Sequence, residues 1–259
     1  MRILFIGDIV GKPGRKAVRR LLPRLREELE PDIVLANGEN LAGGAGITRD
    51  TAREMFDLGI AALTTGNHVW DQREAIDYLS EDVPILRPIN YPPGVPGRGC
   101  MDVRVNDQML TLVNVQGRVF MRPLDDPFRA MESVLAELGS QKFILVDMHA
   151  EATGEKQALG FFLDGRISAL VGTHTHVPTA DARVLPCGTA YITDVGMVGP
   201  LDSVIGVDPE AVIERYLTQM YHRYEVARGP VRFSAVFIDL DDDTGRAREI
   251  RPIQEAVPA

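Results

Sequence analysis

Histidines, acids and carboxamides gather in this sequence at the ends of short apolar runs. RILFIG (residues 2–7) is followed by Asp8, and DIVLAN (32–37) leads into Asn37-Gly38-Glu39-Asn40. IAALTTG (60–66) ends in Gly66-Asn67-His68, FILVDMHA (143–150) carries His149 near its end, and ISALVGTH (167–174) opens His174-Thr175-His176. Taken singly, such residues carry little: an Asp at a strand end is commonly a cap or turn former, and a lone His is commonly a satisfied structural one. The His-x-His pair says more, because alternate residues of an extended chain face the same way and bring two imidazoles to adjacent points. The conjunction says most, since a structural explanation has to account for every strand end independently. A set of imidazole, carboxylate and carboxamide donors without thiolate suits iron, manganese or zinc. Six or seven such donors are enough for two ions, which at ~3.5–4 Å separation clamp a phosphorus centre and acidify a bridging water. One carboxylate then has to bridge the ions, and Glu39 is the candidate.

These runs read as strands buried on both faces, because they are near-continuously apolar and end in polar residues. Between the first two lies RKAVRRLLPRLREELE (15–30), with Val18, Leu21, Leu22, Leu25 and Leu29 at helical spacing and Pro13 placed for the first turn. Pro23, inside that pattern, predicts a kink or a split. DQREAIDYLSED (71–82) and DDPFRAMESVLAELGS (125–140) are further predicted helices, and residues 101–117 read as two strands joined at Asn106-Asp107-Gln108. TAYITDVG (189–196), VRFSAVFIDLD (231–241) and REIRPIQ (248–254) add hairpin-like strands. The Pro- and Gly-rich RPINYPPGVPGRG (87–99) is a loop rather than a domain boundary. Strand–helix alternation followed by hairpins predicts an α/β sandwich with mixed sheets in a single domain, residues 1–259. Open α/β sheets place their ligand sites at the carboxyl ends of strands, which is where these polar residues fall. His222, the fifth histidine, lies in helix-like RYLTQMYHRY (215–224) and reads as structural or exposed.

The bulk properties narrow the function. A net charge of −9 argues against a sequence-independent duplex-binding surface, yet it permits a small phosphorylated substrate whose charge metal ions offset. No apolar run approaches the ~20 residues that span a bilayer. The only cysteines, Cys100 and Cys187, form no CxxC pair, so a disulfide framework and a thiolate zinc site are both unsupported. A soluble cytoplasmic protein is the plain expectation, with self-association permitted. GDIVGKPGR (7–15) invites a phosphate-loop reading, but it lacks the GxxxxGK[ST] spacing, and Pro13 follows Lys12 where a metal-binding Ser or Thr belongs. Gly11, Pro13 and Gly14 are better read as shaping a strand-to-helix turn beneath Asp8.

The order Asp … Glu-Asn … Gly-Asn-His … His … Gly-Thr-His-x-His resembles the calcineurin-like metallophosphoesterases. GDIVGKPGR, ANGENLAGG, TTGNHVWD, DMHAEAT and VGTHTHVPTAD together are similar to the YmdB-type branch of that superfamily, over roughly residues 1–200. The resemblance implies a four-layer α/β/β/α sandwich of two mixed sheets flanked by helices, a dinuclear site often containing iron, and phosphodiesterase activity toward 2′,3′-cyclic nucleotides. By position, Asp8 and His176 would bind the first metal, joined by Asn40; Asn67, His149 and His174 would bind the second, with Glu39 bridging. His68, next to a ligand, would stand at the rim as general acid and protonate the 2′-oxygen as a bridging hydroxide attacks phosphorus, giving a 3′-phosphate. Two departures from the wider superfamily stand out. Its Asp-x-His motif has Val10 here, which cannot ligate, and its Gly-Asp-x-x-Asp motif is replaced by Gly38-Glu39-Asn40. Asn90, Tyr91 and Phe120 could flank a base, although each reads first as an exposed loop residue. The competing functional readings are a broad phosphomonoesterase or protein phosphatase, and a metal-bound regulatory or RNA-interacting module with incidental hydrolysis.

Overall fold

A computed structural model describes residues 1–258. In chain order the elements are β1 (Arg2–Ile6), β2 (Asp8–Ile9), α1 (Gly11–Leu29), β3 (Ile33–Asn37), α2 (Arg49–Asp57), β4 (Ala62–Thr64) and α3 (Glu74–Tyr78). There follow β5 (Cys100–Val105), β6 (Gln108–Gln116), α4 (Pro127–Leu138), β7 (Phe143–His149), α5 (Thr153–Leu163) and β8 (Ala169–Thr173). The chain closes with β9 (Arg183–Val184), β10 (Ala190–Ile192), β11 (Met197–Pro200), α6 (Pro209–Thr218), β12 (Val231–Leu240) and β13 (Ala247–Val257).

Side-chain alternation sorts the strand residues into layers. In β1, Leu4 and Ile6 face a core shared with Val18, Leu22 and Leu25 of α1 and Met55 of α2, whereas Ile3 and Phe5 face Leu110, Leu112 and Leu145 of the other sheet. In β7, Ile144 and Val146 turn outward onto Met131 of α4 and Leu159 and Leu163 of α5. Three cores thus separate four layers, helix on sheet on sheet on helix. The first sheet runs β2-β11-β12-β1-β3-β4 with β13 on β12, and the second runs β5-β6-β7-β8-β10-β9. Both are mixed: β1, β3 and β4 are parallel, as are β6, β7, β8 and β10, while β12 runs antiparallel to β1 and β5 antiparallel to β6. Each parallel set brings its carboxyl ends to one rim.

Several local expectations need correction. Helix α1 runs unbroken through Pro23. The ring and Arg19, whose carbonyl loses its helical donor, both lie on the solvent-facing side, so water can serve that carbonyl. The 71–82 stretch is helical only over Glu74–Tyr78, with turns on either side. His222 lies beyond α6, which stops at Thr218 where Gln219 takes a left-handed conformation (φ 58°). Asn90 is buried, not exposed: its Nδ2 donates to the carbonyls of Gln116 (2.8 Å) and Asp125 (2.9 Å), and its Oδ1 accepts from the Gln116 N–H (3.0 Å). A loop tucked against a core must satisfy its backbone groups somewhere, and Asn90 does so here. Tyr91 is half-buried, edge-on to Trp70. Phe120 is 90% exposed, as expected. No helix among the described residues is long and apolar enough to cross a membrane.

Candidate metal centre

The seven ligand candidates come together where the two sheets meet. Asp8, Glu39, Asn40 and Asn67 arrive from the rim of the first sheet; His149, His174 and His176 arrive from the second. The His149 Nε2 lies 3.2 Å from Glu39 Oε1, 3.0 Å from Asn67 Oδ1 and 3.1 Å from His174 Nδ1. On the other side of Glu39, the Asn40 amide donates to Glu39 Oε1 (3.2 Å) and faces His176 Nε2 at 3.1 Å, with Asp8 Oδ1 at 3.9 Å from the same nitrogen. Two groups of donor atoms, Glu39–His149–His174 and Asp8–Glu39–His176, each lie within 4.8 Å of one another, and Glu39 belongs to both.

Each of these imidazoles points its other nitrogen at an acceptor. His149 Nδ1 meets Thr173 Oγ1 (2.9 Å), whose hydroxyl donates to Asp147 (2.7 Å); His174 Nε2 meets Glu151 (3.1 Å); His176 Nδ1 meets the Ile205 carbonyl (2.7 Å). These outer contacts aim the inner nitrogens at the cluster, which is how proteins orient metal-binding histidines. His68 stands apart. Its ring is 39% exposed, its Nδ1 lies 2.7 Å from Asp71, and its backbone N–H donates to Glu39 Oε2 (3.2 Å).

The electrostatics fit a cation. Asp8 and Glu39 are both buried, and Asp8 Oδ1 has no hydrogen-bond partner. Burial, reinforced by Asp194, Glu39 and Asp147, holds the Asp8 carboxyl well above the ordinary carboxylate range against the pull of His149. Burial also pushes Glu39 upward, but the charge and hydrogen bond of His149, with His68 assisting, outweigh it and bring the group down to about 2. Burial, with His149 beside it, lowers His174 to about 3. Buried acids facing nitrogen donors, with an orphaned carboxylate oxygen among them, form a set that positive ions would satisfy.

The model of the YmdB-like protein family matches residues 4–253. The chain belongs to that family. It is 49% identical, over 98% of its length and 96% of the relative's, to a Bacillus subtilis protein named 2′,3′-cyclic-nucleotide 2′-phosphodiesterase. A solved structure of a hypothetical protein from Thermus thermophilus matches with a TM-score of 0.95 at 46% identity, covering all of both chains. A phosphatase from Mycoplasma pneumoniae matches with a TM-score of 0.95 at 30% identity, over all of this chain and 94% of the other.

In this YmdB-like chain the residues that sequence reasoning missed are the supports. Asp147 is buried among the side chains of Asn37 (3.0 Å), Thr64 and Thr173. Lys156, fully buried on α5, donates to Asp194 and to the Thr173 carbonyl (2.7 Å each), while Asp194 accepts from the backbone of Thr175 and Gly196. A Cβ on Gly66 would overlap the His149 ring. An acid inside the apolar run FILVDM was a legible signal; Lys156, Glu151 and the Ile205 carbonyl left none.

Proposed function

We propose that this chain is a metal-dependent phosphodiesterase that opens 2′,3′-cyclic nucleotides on the 2′ side, leaving 3′-phosphates. The observation that carries the reading is the convergence of the inner nitrogens of His149, His174 and His176 on buried Asp8 and Glu39. The named activity of the Bacillus subtilis relative supports the substrate class. Asp8, Asn40 and His176 would hold one ion, Asn67, His149 and His174 the other, with Glu39 shared; this nitrogen–oxygen set suits iron, with manganese or zinc as alternatives. Such ions, when bound, neutralise phosphate charge and lower the pKa of the attacking water.

The chain's own residues supply the rest. Asp71 holds the His68 ring through Nδ1 and would stabilise its doubly protonated form, whose Nε2 proton would pass to the departing 2′-oxygen. Thr173 and Asp147 orient the His149 ring, and Glu151 and the Ile205 carbonyl orient those of His174 and His176. Replacing His68 with Ala lowers turnover of 2′,3′-cyclic AMP by roughly 10²–10⁴-fold with metal content unchanged. Undiminished turnover removes His68 from the reaction. Metal analysis of protein purified without added metal, alongside assays on cyclic nucleotides and monoesters, tests the whole reading. Fewer than about one ion per chain in metal-replete buffer overturns the two-ion centre. Faster hydrolysis of monoesters overturns the substrate class.

A further inference from the structure

We propose that an apolar cavity on the Asn40–His176 side of the cluster receives the nucleobase, and that Tyr216 and Tyr224 hold it there. The inference rests on the cyclic-nucleotide reading for the identity of the phosphate end, but not for the cavity itself. The cavity measures about 420 Å³ and opens directly onto Asn40, His68 and His176. Its wall is apolar, formed by Val10, Ile205 and Val226, with Tyr216 and Tyr224 at its side. This volume falls within the range of small-molecule sites and accommodates a nucleoside. A nucleotide needs both halves of such a site: charge and polar donors for phosphate, and flat apolar surface for the base.

Two features mark the cavity as built rather than incidental. Ile205 has φ 47°, a left-handed conformation that a β-branched residue adopts only under strain. That conformation accompanies a carbonyl placed 2.7 Å from His176 Nδ1 and a half-exposed side chain lining the cavity. One strained residue therefore serves the histidine and the apolar wall together. Val10 makes the second point. It lies two residues beyond Asp8 and contributes methyl groups, not a ligating atom, to the same wall. The aromatic rings are accessible: Tyr216 is 75% exposed and Tyr224 39%, the latter with the Arg215 guanidinium 5.2 Å from its ring centre. The other depression beside His68 is smaller, about 260 Å³, and is lined by Asn67, Asp71, Arg122 and His174 as well as Phe120. Its mainly polar walls suit solvent or phosphate oxygens better than a base.

The test is calorimetric binding of adenosine 3′-monophosphate and of inorganic phosphate to the metal-loaded protein, with 2′,3′-cyclic AMP hydrolysis assayed in parallel. Wild type is expected to bind the nucleotide at least about tenfold more tightly than phosphate. Tyr216→Ala and Tyr224→Ala are expected to weaken nucleotide binding by about tenfold when combined, the range of one lost base stack, while phosphate affinity and metal content stay unchanged. Equal affinities in wild type, a preference that survives both substitutions, or a preference lost instead in Phe120→Ala overturns the proposal. Loss of phosphate binding along with nucleotide binding assigns the tyrosines a structural role and overturns it as well. A wild type that prefers the nucleotide but does not hydrolyse the cyclic ester overturns the substrate reading and leaves the base cavity standing.

Discussion

At the residue scale, the centre depends as much on what is kept away from the histidines as on what touches them. Gly66 carries no functional group, yet its missing Cβ is the space the His149 ring occupies. Gly66→Ala must push that ring or its own strand end aside, and the inner nitrogen of His149 then leaves a cluster whose donor distances are 3.0–3.2 Å. The expected result is at least about a tenfold loss of metal affinity, comparable to removal of an orienting group, with the far-ultraviolet circular dichroism unchanged. Competition with a chromophoric chelator reads the affinity; a variant that holds metal as tightly as wild type shows that His149 is not constrained in this way.

At the scale of elements, α5 reaches across to the loop after β8. That loop contains two residues with positive φ, His174 at 98° and His176 at 65°, a geometry that needs outside support. Support comes from the Lys156–Asp194 pair, both members fully buried, with Asp194 also accepting from the Thr175 and Gly196 N–H groups. Lys156→Met keeps most of the length of the side chain but strands the Asp194 charge. It should cost about 3–5 kcal/mol in stability, measured by urea unfolding, because breaking one half of a buried pair leaves an uncompensated ion. A cost below about 1 kcal/mol shows that water reaches Asp194 and the pair is not the clamp. The same elements show what the sequence could tell. Strands β1, β3, β7 and β8 were legible because burial on both faces makes them continuously apolar, and the seven ligand candidates were legible because they cluster at strand ends. The unbroken α1 and the buried Asn90 were not, since the first is settled by which face meets solvent and the second by carbonyls distant in sequence. Lys156 was invisible for the same reason: its partner lies 38 residues away on another element.

At the scale of the whole molecule, the candidate ligands divide between two sheets whose facing surfaces are held mainly by apolar packing around Phe5, Leu35, Leu112 and Leu145. If the proposed ligands hold ions between the sheets, those ions would bind the folded state and not the unfolded one and would add stability by mass action, about 2.7 kcal/mol at a hundredfold excess over the dissociation constant. For a chain of 259 residues that corresponds to a rise in Tm of roughly 5–10 °C on loading. Differential scanning fluorimetry of chelator-stripped and reloaded protein checks it, and an unchanged Tm argues against ions held between the sheets. The division also sets a sequence of events. Asp8 and the His174 backbone meet across 166 residues, and β12, which flanks β1 in the same sheet, is made later still. No early portion of the nascent chain can assemble this centre, because its parts are joined across long stretches of sequence and such contacts close late. Activity is therefore a report on the finished molecule: a chain still on the ribosome, or one whose second sheet has not docked, has the strands but nothing with which to catalyse.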